Sequence, residues 1–97
     1  MNIEKNWMLL VLMLRKIAES KGISQQQIAE LTGLKKSNVS RVFSLDYCPT
    51  MRTFLLIATA INVNFFFEDR DSITELNQLF ETAMTELGRR PEQLHKP

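Results

Sequence analysis

Eight consecutive residues, Trp7 to Leu14, carry no charge and no polar side-chain group except one indole N–H. A surface helix normally sets an apolar stripe against a polar face, and this run leaves no room for the polar face. Whatever it folds into must be covered on more than one side. The run ends at Arg15-Lys16 without a small-residue cleavage pattern, and it falls far short of the ~20 apolar residues of a membrane span. It therefore reads as part of a folded helix. At 97 residues the chain has room for one small domain with a modest core.

Only three glycines and three prolines punctuate the sequence, and the apolar spacing is helical nearly throughout, which predicts an all-α fold. A first helix runs from Glu4 to Ser20 and stops at Lys21-Gly22, where glycine supplies the left-handed cap. The second opens on a capping box, Ser24 with Gln27, and ends before Gly33. The third runs from Lys36 to about Ser44, with Val39 and Val42 inward and Lys36, Ser37, Ser40 and Arg41 outward. Its N-cap lies at Lys35 or Ser37, and simple capping chemistry prefers the serine. Thr50 caps a fourth helix, Met51 to Ile61, whose buried face is Phe54, Leu55, Ile57, Ala58 and Ile61. Asn62 follows where the chain needs a residue tolerant of positive φ. A short helix or turn around Asn64 to Glu68 carries three phenylalanines. Ser72 and Glu75 form a second capping box, opening a helix with the stripe Ile73, Leu76, Phe80, Ala83, Met84 and Leu87 before Gly88. The tail from Arg89 is polar and reads as frayed.

The net charge of +1 is unevenly placed. Residues 1–52 hold eight Lys/Arg against four Asp/Glu, and residues 53–97 hold four against seven, so the two parts carry +4 and −3. Such asymmetry hints at a polyanion-facing half. Cys48 is the only cysteine and His95 the only histidine, which excludes an intramolecular disulfide and any Cys/His metal cluster. No cofactor is expected, and a reducing, cytoplasmic setting fits. No paired-carboxylate, nucleophile–base or phosphate-loop constellation occurs, so the expectation is a protein that is not an enzyme.

Function concentrates in "ISQQQIAELTGLKKSNVSRVF", Ile23 to Phe43. A short capped helix, a tight turn at Gly33 and a second helix with a polar outer face describe a helix-turn-helix, whose second helix enters the DNA major groove. The segment resembles the phage-repressor-like (Cro/repressor, XRE) family of regulators through Ser24-Gln25, Ile28-Ala29, Gly33, Ser37 to Arg41 and Pro49, all in order. The resemblance continues through "PTMRTFLLIATAINVNFFF" and covers roughly residues 10 to 67. It implies a five-helix repressor-like domain over residues 1–70; the C-terminal amphipathic helix and tail of residues 71–97 are additional to that body, and the apolar stripe of the helix makes them a candidate dimerisation element.

The resemblance also implies roles. Gln25 matches the glutamine that binds a phosphate and braces the recognition helix. Lys36, Ser37 and Ser40 match the outward sites that meet base edges, with Arg41 beside them; Lys or Arg suits guanine O6/N7, and Ser reads either base type. Lys35 and Arg52 fall at phosphate-contacting positions, and Tyr47 can donate one hydrogen bond to a phosphate. Two departures stand out. Many members have Asn-Gly and a basic loop where this chain has Ser44-Leu45-Asp46-Tyr47, and many bury an Arg–Glu pair at the positions of Ala18 and Phe43. Losing both partners of such a pair together is compatible with an intact fold.

In the family's fold Leu10, Leu14 and Ile17 of the first helix face the core. Met8, Leu9, Leu12 and Met13 are then left over, as is the stripe Ile73, Leu76, Phe80, Met84 and Leu87. The stripe can cover the leftover face of the first helix either within one chain or across two subunits, and the Met-rich, aromatic composition suits an interface, which favours a dimer. The leading expectation is a sequence-specific, double-stranded-DNA-binding transcriptional regulator acting as a homodimer on a near-palindromic operator, with Met8 and Leu12 and the C-terminal stripe at the dimer interface. One alternative is an antitoxin that uses the same module and binds a toxin partner. Another is a protein-interaction module without DNA binding.

Overall fold

The computed structural model describes residues 2–65 and 67–88. Its helices are α1 (Ile3–Lys21), α2 (Gln25–Thr32), α3 (Lys36–Phe43), α4 (Met51–Ala60) and α5 (Leu76–Glu86), and no strand occurs among the described residues. The all-α expectation is met. The chain divides into two compact units, Met1–Val63 and Asn64–Pro97.

In the first unit, α2 packs on α3 and α4, and α1 packs on the same two helices. Each helix contributes its own apolar positions to one core: Val11, Leu14 and Ala18 from α1, Ile28 and Ala29 from α2, Val39, Val42 and Phe43 from α3, and Ile57 and Ala58 with the capping Ile61 from α4. Caps fix where these helices start. Asn2 Oδ1 accepts from the Lys5 N–H at 2.7 Å, Ser24 and Gln27 form the reciprocal box, and Thr50 accepts from the Thr53 N–H. The one polar group of the apolar run is also satisfied, since Trp7 Nε1 donates to Glu4 Oε2 at 2.8 Å.

Helix ends are closed as tightly. Gly22 has φ 70°, with its N–H on the Glu19 carbonyl and the Ile23 N–H on Ala18. Asn62 has φ 58° and repeats the arrangement on Thr59 and Ala58. Both are left-handed caps that satisfy orphan carbonyls, and asparagine tolerates the conformation better than most side chains. Two basic residues of α1 complete the frame. Arg15 Nη1 donates to the Phe43 carbonyl at 2.7 Å, and Lys21 Nζ to the Ile61 carbonyl at 2.8 Å. Each cation thus sits at the negative end of another helix, α3 or α4. Ala18 and Phe43 are both buried, and Arg15 ties α1 to the end of α3.

Several sequence expectations need correction. Leu10 is 52 % exposed, and the core face of α1 is Val11, Leu14 and Ala18 with Trp7 and Ile17 packed beside it. A run of eight apolar residues has no polar position to set the phase of the helix, and the neighbouring helices decide it. Leu55 is 43 % exposed, because the apolar face of α4 is wider than its neighbours cover; with Leu31, Met51 and Leu56 it lines an open groove between α2 and α4. Asn64, Phe65, Phe67 and Glu68 are not helical, and Phe66 lies outside the described residues.

The largest correction lies in the second unit. Ser72 has φ 57° and caps nothing; α5 opens four residues later, at Leu76, and its N-cap Glu75 makes no side-chain bond. The Asp69 carboxylate takes the backbone donors instead. It accepts from the N–H groups of Asp71, Ile73 and Thr74 at 3.0, 3.2 and 3.0 Å and from the Thr74 hydroxyl at 2.8 Å. A charged acceptor makes strong hydrogen bonds, and the loop folded around it holds Ser72 at positive φ, outside the extended conformation of an N-cap. On α5, Leu76 and Phe80 are half-buried and Met84 is buried, whereas Ile73 and Leu87 are 82 % and 74 % exposed, so the expected stripe is shorter than drawn. The tail from Arg89 lies outside the described residues.

These bonds, led by that from the Thr74 side chain and then the Asp71 N–H, hold the Asp69 carboxyl below its ordinary pKa. The stabilisation they give the 69–74 loop is therefore complete above the unfolded aspartate value of about 3.9 and is lost as the pH falls through the lowered one. Amide-exchange protection of Ile73 and Thr74 should fade on that acidification, and Asp69→Asn should remove the pH dependence. Unchanged protection through the titration would count against this role.

Candidate nucleic-acid interface

The interface is built outward from α3. Val39, Val42 and Phe43 are buried, so this eight-residue helix has one permitted orientation, and its remaining side chains are turned to the outside. Lys36, Ser37 and Arg41 are exposed and Ser40 is half-buried. No acidic residue lies within α3. The outer surface is a basic and hydroxyl-bearing strip about two turns long, the length of helix that a major groove accepts.

The turn before α3 is held from α2. Gly33 has φ 79° and closes α2 with its N–H on the Ala29 carbonyl, a conformation a β-carbon would strain. Thr32 Oγ1 donates to the Ile28 carbonyl at 2.7 Å and accepts from the Leu34 N–H at 3.1 Å, which locks the turn. Lys35, not Ser37, is the N-cap of α3, and it makes no side-chain capping bond. Ser37 is thereby left on the outer surface rather than spent on the helix end. Lys35 itself is exposed in the turn.

Gln25 is the first residue of α2 and is half-buried. The capping box behind it uses Ser24 and Gln27, so the Gln25 amide is not needed to cap the helix. Arg52 is exposed, one residue after α4 begins. Gln25, Lys35 and Arg52 thus lie at three helix starts of the same unit, where an approaching anion also meets the positive end of a helix dipole.

One feature escaped the sequence reading. Tyr47 stacks on Arg41, with the guanidinium carbon 4.9 Å from the ring centroid. The loop that brings it there passes through Leu45, which has φ 62° and donates its N–H to the Val42 carbonyl. Neither glycine nor asparagine marks this left-handed position, so the sequence gives no sign of it. Of the cations in residues 1–52, Arg15 and Lys21 are engaged at helix ends, on the Phe43 and Ile61 carbonyls.

Among the described residues no group of three or more His, Cys, Asp or Glu could hold a metal ion, and no helix is long and apolar enough to cross a membrane. The family model described as Helix-turn-helix matches residues 14–67, more than half of the chain. No curated protein and no solved structure gives a significant match.

Proposed function

The chain belongs to the phage-repressor-like (XRE) helix-turn-helix family and is a DNA-binding transcriptional regulator; from that premise we propose that it reads a near-palindromic operator as a homodimer. The observation that supports the DNA reading is the outer strip of α3, basic and hydroxyl-bearing and free of acid, on a helix whose opposite face is locked into the core, and what favours a dimer is the exposed apolar side of α1 at Leu9, Leu10 and Met13. Lys36, Ser37, Ser40 and Arg41 meet base edges. Gln25, Lys35, Arg52 and the Tyr47 hydroxyl hold phosphates and set the register without carrying sequence information.

Selection from random duplexes with the purified protein supplies the preferred site and the half-site spacing. On that site Lys36→Ala or Arg41→Ala should cost about 1–3 kcal/mol and relax the preference at one position. Gln25→Ala should weaken binding to every sequence by a similar factor and leave the motif unchanged. Equal losses on the selected and random duplexes for Lys36 and Arg41 would reassign them to phosphates. Unchanged binding to both would remove α3 from the groove. Failure to bind any duplex in a salt-dependent manner would favour a protein-interaction module instead.

Exposed Ile73, Leu79 and Leu87 favour one second reading, an antitoxin whose second unit binds a toxin. Co-purification of one defined small protein from the native host, lost on Leu79→Glu, would support it.

A further inference from the structure

Resting on the assignment of Arg41 to a base contact, the geometry points to Tyr47 as a positioning residue for that arginine, acting through the face of its ring. An exposed arginine on a helix surface samples many rotamers, and a base contact must freeze them. Tyr47 restricts that sampling before DNA arrives. Its ring lies 4.9 Å from the Arg41 guanidinium carbon, within cation–π range. A cation–π contact does not consume the guanidinium's N–H donors, and those donors are what make a bidentate contact with guanine O6/N7.

The ring is held in turn. Leu45 adopts the left-handed conformation that reverses the chain after α3, and its side chain packs against the core cluster while its N–H bonds the Val42 carbonyl at 3.0 Å. The loop is thus anchored two residues before Tyr47, which returns over the last turn of α3. The anchored leucine and the aromatic ring thus act together: the ring bears on Arg41, and the hydroxyl at its far end is left for a phosphate.

The ring and the hydroxyl have separable consequences. A hydroxyl on a phosphate changes affinity for all sequences alike, whereas a ring on Arg41 changes preference, the ratio of affinity for the selected site to that for random duplex. This ratio is to be measured for the full-length wild type, Tyr47→Phe, Tyr47→Ala, Arg41→Ala and the Tyr47→Ala/Arg41→Ala double variant. Tyr47→Ala should lower the ratio about two- to fivefold, the size of an exposed cation–π contact. Tyr47→Phe should preserve it, and Tyr47→Ala should have no further effect once Arg41 is alanine. In the free protein, Arg41 side-chain protons should show an upfield ring-current shift that survives Tyr47→Phe and vanishes in Tyr47→Ala.

A ratio lost equally in Tyr47→Phe, kept in Tyr47→Ala, or lowered by Tyr47→Ala without Arg41 would overturn the inference. If Arg41→Ala lowers the ratio and Tyr47→Ala does not, this inference alone fails. If Arg41→Ala leaves the ratio untouched, the base-contact assignment fails and takes the positioning role with it.

Discussion

Truncating Ile57 to alanine is expected to destabilise the first unit by about 2–5 kcal/mol, the range found for removing several buried methyl and methylene groups from a packed core. Ile57 is 0 % exposed and belongs to the cluster that α1, α2, α3 and α4 share. Roughly 0.05–0.15 kcal/mol per residue of total stability gives a unit of this size only about 3–9 kcal/mol, so one truncation consumes much of the whole. Ile57→Val, which removes a single methylene, should cost about 0.5–1.5 kcal/mol. Leu55→Ala is the control on the same helix, because Leu55 is 43 % exposed and lines an open groove. Its cost should fall well below that of Ile57→Ala in denaturant titration of dilute protein. Equal costs would mean that the groove is covered in solution and that the exposed face of α4 is an interface.

The contrast between those two residues also marks what the sequence could tell. Spacing places Leu55, Ile57, Ala58 and Ile61 on one apolar face, but it does not say how much of that face a neighbour covers. Capping was legible where it is local. Ser24 with Gln27, Thr50, Gly22 and Asn62 all act within a few residues of their partners. The same pattern at Ser72 and Glu75 failed because Asp69, a charged acceptor three residues upstream, folds the loop around itself and leaves Ser72 at positive φ. A pattern of residue types does not rank competing acceptors.

The outer strip of α3 was legible because a 3.6-residue period with Val39, Val42 and Phe43 inward leaves Ser37, Ser40 and Arg41 outside. The Arg41–Tyr47 stack was not, since it depends on a left-handed leucine. Counting charges did not separate Arg15 and Lys21, which close helix ends, from Lys35, Lys36, Arg41 and Arg52, which remain exposed.

Splitting the proposed homodimer is expected to weaken binding to the full operator by about 10²–10⁴-fold, the gain that two linked half-site contacts have over one. The apolar run of residues 7–14 is the surface proposed for that contact. Val11 and Leu14 enter the core, whereas Leu9, Leu10 and Met13 are 46 %, 52 % and 49 % exposed on one side of α1, with Met8 and Leu12 half-buried at its margin. A second copy related by a two-fold axis would cover that side on both chains and place two recognition helices on half-sites about 34 Å, or ~10 base pairs, apart or at a multiple of that spacing. Leu10→Glu with Met13→Glu puts charge on exposed positions, so each chain should keep its helical content while light scattering falls to the monomer mass and operator affinity drops to that of an isolated half-site. Removing residues 72–97 tests whether the exposed Leu79 and Leu87 of the second unit contribute to the same assembly. A full-length chain that is monomeric at micromolar concentration would end the dimer proposal. A charged double variant that stays dimeric with full operator affinity would move the interface away from α1, and the exposed Phe65 and Phe67 would be the next surface to substitute.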